Sequence, residues 1–105
     1  MLTGPIDATQ RMIERTGLRI DDFDVIEINE AFASVVLAWE REVKPDMAKV
    51  NPNGGAIALG HPLGGTGAML VAKAVHEMHR ADLENAIVTM CCGGGLGTGT
   101  LLRRA

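Results

Sequence analysis

The sequence predicts an α/β domain, a small and mostly parallel mixed sheet with flanking helices and an antiparallel hairpin at its C-terminal end. Apolar residues recur at helical spacing in three separate segments. Two short, largely apolar runs, FDVIEI at Phe23–Ile28 and NAIVTMCC at Asn85–Cys92, lie between or after them. A triple glycine, Gly93–Gly95, then reverses the chain. Alternating helices and strands imply parallel neighbours joined by crossovers, whereas a short glycine turn joins antiparallel ones.

Pro5 opens the first helix, which runs to Thr16 with Ile6, Met12 and Ile13 on related faces and Gly17 as its stop. No strand precedes it, and an α/β domain usually has one there, so the chain is expected to begin inside a domain. Asp21 and Asp22 mark a turn into the strand Phe23–Ile28. A second helix is expected from Glu30 to Val43, with Ala31, Phe32, Val35, Val36 and Trp39 as its apolar stripe, ended by Lys44-Pro45-Asp46. A short strand is expected at Lys49–Asn51. The third helix spans Gly65–Arg80, and Ala68, Val71, Ala72, Val75 and Met78 form its expected buried face. Strand Asn85–Cys92 and a final strand, Leu96–Arg103, close the domain.

A chain of 105 residues makes one domain or part of one, and its 47% apolar content suffices for a core. No segment approaches the roughly 18–20 uninterrupted apolar residues of a membrane span. No basic segment leads into an apolar one, so no secretory signal is expected. A net charge of −3 and only three aromatics, Phe23, Phe32 and Trp39, speak against nucleic acid as a partner. Cys91 and Cys92 are neighbours, and adjacent Cα atoms about 3.8 Å apart fall below the usual disulfide range. A reduced, cytoplasmic protein is the simple reading.

The most unusual stretch is NPNGGAIALGHPLGGTG, Asn51–Gly67, with six glycines in 17 residues around a single histidine, His61. Glycine permits close backbone approach, and Pro62 biases His61 towards an extended backbone. Ligands of open α/β sheets gather outside the carboxyl ends of strands. Three features are expected there: Asn29-Glu30, the His61 loop, and Cys91 followed by three glycines. Each has a plain structural alternative. Asn29 suits a helix N-cap, Glu30 a first-turn dipole partner, His61 a surface loop, and Cys91 a small buried hydrophobe. His76 and His79 fit a solvated helix face. Three successive glycine amides after Cys91 suit an anion. The glycine loops lack both the P-loop lysine and the G-x-G-x-x-G register, which speaks against a nucleotide-binding domain.

Together, Asn29-Glu30-Ala31-Phe32, GGAIALGHP at Gly54–Pro62 and Cys91-x-Gly93-Gly94-Gly95 resemble the C-terminal half of the thiolases, the acetyl-CoA acetyltransferases and 3-ketoacyl-CoA thiolases. The three motifs stand in the family's order, and the resemblance covers nearly the whole chain. The cysteine motif sets it apart from ketoacyl synthases, which typically carry histidine or asparagine there. The resemblance implies a thiolase-like fold and a reversible Claisen condensation, with acyl transfer between acyl-CoA and acetyl-CoA.

It also implies roles. Cys91 is the acid/base at C2 of acetyl-CoA, and His61 with a water held by Asn29 forms the hole for the enolate oxygen. The Gly94 amide, with Gly93, serves a second hole, and Gly93 and Gly60 line the substrate. No metal and no resident cofactor are implied, coenzyme A thioesters being substrates. The family's nucleophilic cysteine belongs to the N-terminal half, and neither Cys91 nor Cys92 matches it. Residues 1–105 are therefore expected to be an incomplete C-terminal domain lacking that half and its own first strand. Alone it is expected to be inactive, and in the complete enzyme a homo-oligomer. The alternative is a non-catalytic split subunit or interaction fragment that docks on an N-terminal thiolase half. Cys92 occupies a position where the family commonly carries a larger aliphatic.

Overall fold

The computed structural model describes residues 2–105. Four α-helices and three strands follow one another as α1 (Gly4–Thr16), β1 (Val25–Ile28), α2 (Ala33–Val43), α3 (Ala56–Leu59), α4 (Thr66–Arg80), β2 (Asn85–Cys92) and β3 (Leu96–Arg103). The sheet order is β1-β2-β3, with β1 parallel and β3 antiparallel to β2. This is the mixed α/β architecture that the sequence predicts.

Side-chain alternation along the strands creates two cores. Ile26, Ile28 and Ile87 point to one side, where they pack with Phe23, Trp39 and Val50 beneath α1 and α2. Val25, Ala86 and Val88 point to the other side and meet Leu70, Ala74 and Met78 of α4. Helices thus cover both faces, which is why β1 is buried at every residue. Trp39 is fully buried, and its Nε1 donates to Thr9 Oγ1 at 3.0 Å while Thr9 donates to the Pro5 carbonyl at 2.7 Å. That chain satisfies every polar atom it buries and joins α2 to α1. Against β3, α1 approaches backbone to backbone: a Cβ on Gly97 would lie 2.4 Å from the Gly4 carbonyl oxygen.

Several boundaries differ from expectation. α2 starts at Ala33 rather than Glu30, because Asn29 prolongs the parallel ladder by donating its amide to Thr89 O at 3.0 Å. Phe32 becomes an extended N-cap and stays 61% exposed, leaving Val35 and Trp39 as the residues α2 buries. β1 is shorter than Phe23–Ile28, since Asp24 accepts the Glu84 and Asn85 amides with its side chain. The expected strand at Lys49–Asn51 is a single bridge between Val50 and Ile26. Asn51 stops it: its backbone turns to φ +44°, and its side chain takes the next ladder position.

The buried face of α4 also differs. Thr66, Leu70, Ala74, Glu77 and Met78 face inward, whereas Ala68, Ala72 and Val75 are exposed and Val71 is partly buried. The helix carries two overlapping apolar stripes, and polar pairing selects between them, since the inward stripe brings Lys73 against Glu27 of β1. His76 and His79 are exposed, as read from the sequence. Gly94 and Gly95 turn the β2–β3 hairpin at φ +84° and +79°, values that glycine adopts without strain. No helix among the described residues is long and apolar enough to cross a membrane.

Candidate active site

Parallel pairing sets the carboxyl ends of β1 and β2 at one edge of the sheet. Asn29 sits there beside Thr89, two residues before Cys91. It is 1% exposed, and its Oδ1 has no hydrogen-bond partner. A buried, unpaired amide oxygen is costly. It is not an N-cap, and its oxygen is left as an unpaired acceptor.

Glu30, expected to serve the dipole of its own helix, instead reaches the neighbouring segment. Its carboxylate accepts from Asn51 Nδ2 at 3.1 Å and from the Ile57 amide, in the first turn of α3, also at 3.1 Å. Asn51 in turn clasps β1, its Oδ1 accepting from Ile28 N and its Nδ2 donating to Ile28 O, both at 2.9 Å. Gly55 leaves room for that carboxylate: an added Cβ would lie 2.2–2.7 Å from the Glu30 carboxylate atoms and would displace them. The first two motifs are thereby fastened together, carboxylate to backbone.

After the single turn of α3, Gly60 takes φ +96° and leads to His61. The His61 ring does not bond Asn29. Its Nδ1 lies 2.6 Å from Thr66 Oγ1, at the start of α4, and Thr66 Oγ1 is 2.9 Å from the Pro62 carbonyl. Gly67 brings this loop to β2, where a Cβ on it would sit 3.6 Å from the Met90 sulfur. Gly60 and His61 are both exposed.

Cys91 and Cys92 end β2 as half-buried free thiols, paired across the hairpin with Gly97 and Leu96. Strand alternation puts Cys91 on the side of Ile87 and Thr89, and Cys92 on the side of Met90 and α4. Gly93 and Gly94 are exposed at the tip. Asn29, the His61 loop and the cysteine–glycine hairpin therefore share one sheet edge, with Cys91 reaching it from the face opposite α4. An open depression of about 800 Å³ lies elsewhere, along α2 between Ser34 and Pro45, and holds none of these residues.

Sequence reasoning missed Thr66 as the partner of His61 and missed the pair Glu27–Lys73. Glu27 is fully buried, with Lys73 Nζ 3.0 Å from its Oε2. The approach is oblique, so neither carboxylate oxygen has a well-formed hydrogen bond. Burial pushes the Glu27 carboxyl above its usual range although the Lys73 ammonium opposes the shift. One signal was available: an acidic residue at an inward position of an otherwise apolar strand needs a cation opposite.

Residues 1–104 match the family model "Thiolase, C-terminal domain". The chain belongs to the thiolase family. It is 58% identical over 104 residues to the steroid 3-ketoacyl-CoA thiolase of Mycobacterium tuberculosis, covering 99% of this chain and 26% of that protein. It is 54% identical over 103 residues to the 3-oxoadipyl-CoA/3-oxo-5,6-dehydrosuberyl-CoA thiolase of Escherichia coli, at 96% and 26% coverage. The crystal structure of human mitochondrial 3-ketoacyl-CoA thiolase in complex with CoA superposes with a TM-score of 0.94 at 44% identity, covering 98% of this chain and 26% of that one. The chain thus spans about a quarter of the length of the relatives it matches.

Proposed function

We propose that this chain supplies the C-terminal catalytic elements of a thiolase-type acyltransferase, moving an acyl group between acyl-CoA and acetyl-CoA. The observation that carries the reading is the gathering of Asn29, the His61 loop and the Cys91–Gly94 hairpin at one strand edge of a thiolase-family domain. In this reading Cys91, as thiolate, takes a proton from C2 of acetyl-CoA. The electron pair left on C2 delocalises onto the thioester oxygen, which His61 and a water on Asn29 Oδ1 stabilise. The carbanion then attacks an acyl group held as a thioester on a cysteine of an N-terminal thiolase segment. The carbon–carbon bond forms, and that cysteine leaves as thiolate. The amides of Gly93 and Gly94 stabilise the tetrahedral oxyanion, and Gly60 lines the substrate. Each such donor is typically worth about 10²–10³ in rate.

In this reading the acyl-carrying nucleophile comes from outside residues 1–105, because Cys91 serves as acid/base and the other cysteine, Cys92, is its immediate neighbour at the same strand end. The 105-residue chain alone is therefore inactive, works in a cytoplasmic enzyme, and becomes active when joined to an N-terminal segment in a homo-oligomer. The test is thiolysis of acetoacetyl-CoA and deuterium exchange into acetyl-CoA, with the chain alone and after mixing with an N-terminal segment of the M. tuberculosis relative. Silence alone and turnover on mixing is expected. Turnover by the lone chain that survives Cys91→Ser overturns the reading.

A further inference from the structure

The Glu27–Lys73 pair demands a reason for its place in the fold. A buried ion pair seldom stabilises more than apolar residues of similar volume, since desolvating two charges offsets their attraction. Glu27 shares its side of β1 with Val25, among Leu70, Ala74, Met78, Ala86 and Val88, which is a site suited to a leucine. Yet Lys73 does something no apolar side chain could. Its Nζ also donates to the carbonyl of Gly54 at 2.5 Å.

That bond falls at a significant point. Gly54 opens the segment that runs through α3 to His61, and its φ of +87° leaves its carbonyl turned towards α4. The same segment meets α4 again at its far end, where His61 Nδ1 lies on Thr66. Between these two attachments it is seated on the helix, with Gly55, Ala56, Leu59 and Gly60 facing Thr66, Met69, Leu70 and Lys73 around a void of about 10 Å³. A void of that size is at the lower limit for one water molecule. The loop is therefore laid down along two turns of α4 and pinned at both ends. Thr66 makes the exit pin and Lys73 the entry pin.

We infer that Lys73, held in direction by buried Glu27, is a positioning residue for His61: the pair fixes where the Gly54–His61 segment lies on α4. The inference rests on the proposed role of His61 in catalysis, but the geometry it concerns can be read without turnover. Lys73 touches no reacting atom. It acts through the Gly54 carbonyl.

The experiment separates anchoring from stability in the full 105-residue chain, by hydrogen–deuterium exchange over the 54–61 segment together with the global unfolding midpoint. Glu27→Leu with Lys73→Met replaces the pair by apolar residues, so it keeps the fold and removes the pin. Amides of Ala58, Leu59 and Gly60 should then exchange about tenfold or more faster, while the midpoint stays near its original value. Glu27→Gln does the reverse, leaving Lys73 a polar partner and its bond to Gly54 while weakening the fold. Exchange over 54–61 should change by less than about threefold. Loop exchange that simply follows global stability in both variants overturns the inference. So does wild-type protection in the double variant. If the double variant does not fold, Glu27→Gln still decides, because loss of loop protection in step with lost stability refutes an independent pin. Faster loop exchange in the double variant, with no turnover from any assembled protein, would instead count against the catalytic reading alone.

Discussion

His61 Nδ1 and Thr66 Oγ1 are 2.6 Å apart, and Thr66 has one hydroxyl proton to place. Given to the Pro62 carbonyl 2.9 Å away, it leaves Nδ1 as the donor to Thr66 and makes Nε2 of a neutral ring an acceptor. Given to Nδ1, it leaves the ring proton on Nε2, where the role proposed for His61 needs a donor. The tautomer of His61 is thus coupled to the orientation of this hydroxyl, and the proposed role requires the second orientation. In the assembled enzyme, Thr66→Val should lower deuterium exchange into acetyl-CoA by about 10–100-fold, and Thr66→Ser should restore most of it. Equal rates for the valine and serine variants would separate Thr66 from the chemistry.

The two cysteines give the next prediction. They leave β2 on opposite faces, so one substitution should silence C2 exchange and the other should not. Cys91→Ala is expected to abolish exchange. Cys92→Ala is expected to cost about 1 kcal/mol or less in packing and to leave exchange intact. Mass spectrometry of acetyl-CoA after incubation in deuterated buffer distinguishes them. The opposite pattern would move the acid/base to the α4 face and shift the alignment of this strand by one residue.

Glu77 predicts an acid-sensitive fold. Hydrogen bonds from Arg80, at 2.6 and 2.9 Å, and from Asn53, at 2.9 Å, hold its carboxyl at about 2, against an ordinary value of 4.5. The unfolded chain therefore takes up this proton first as the pH falls. Its stabilising contribution is complete above pH 4.5 and is lost as the pH drops towards 2. Glu77→Gln should lower stability by a constant amount above pH 4.5 and flatten the stability–pH curve between there and pH 2. A denaturant titration at several pH values measures this, and an unchanged acid slope in the variant would contradict it.

Gly97→Ala tests the contact of α1 with β3. The new Cβ would meet the Gly4 backbone at 2.3–2.4 Å, and backbone yields less readily than the end of a flexible side chain. A loss of about 1–3 kcal/mol is expected, read as a lower unfolding midpoint. Gly17→Ala offers a comparison: its Cβ meets nothing within 4 Å, so any cost there comes from its φ of +71°.

The sequence was most informative where one local rule sufficed. Gly17 and the Gly93–Gly95 turn marked their boundaries, and NAIVTMCC marked β2 to the residue. It was least informative where side chains replace backbone. Asn51 imitates a strand, Asp24 caps one, and Glu30 binds the helix turn of another motif. None of these leaves a period in the chain, because each partner lies 21 or more residues away. The phase of α4 was hidden for a related reason. Its apolar residues allow two faces, and only Glu27, on a distant strand, decides between them.

The parallel pairing of β1 with β2 also orders events in time. The β2–β3 hairpin is a local structure that closes over the three residues Gly93–Gly95, on the order of microseconds. β1 must wait, since its anchor Asp24 accepts the amide of Glu84, 60 residues further on. On a ribosome, β1 emerges long before either strand of the hairpin exists, and contacts of such separation are the slow ones. Asn29 can reach the strand end only after β1 has docked. A nascent chain stalled before β2 therefore lacks the strand on which Asn29 is seated, and with it the cysteine and glycine hairpin.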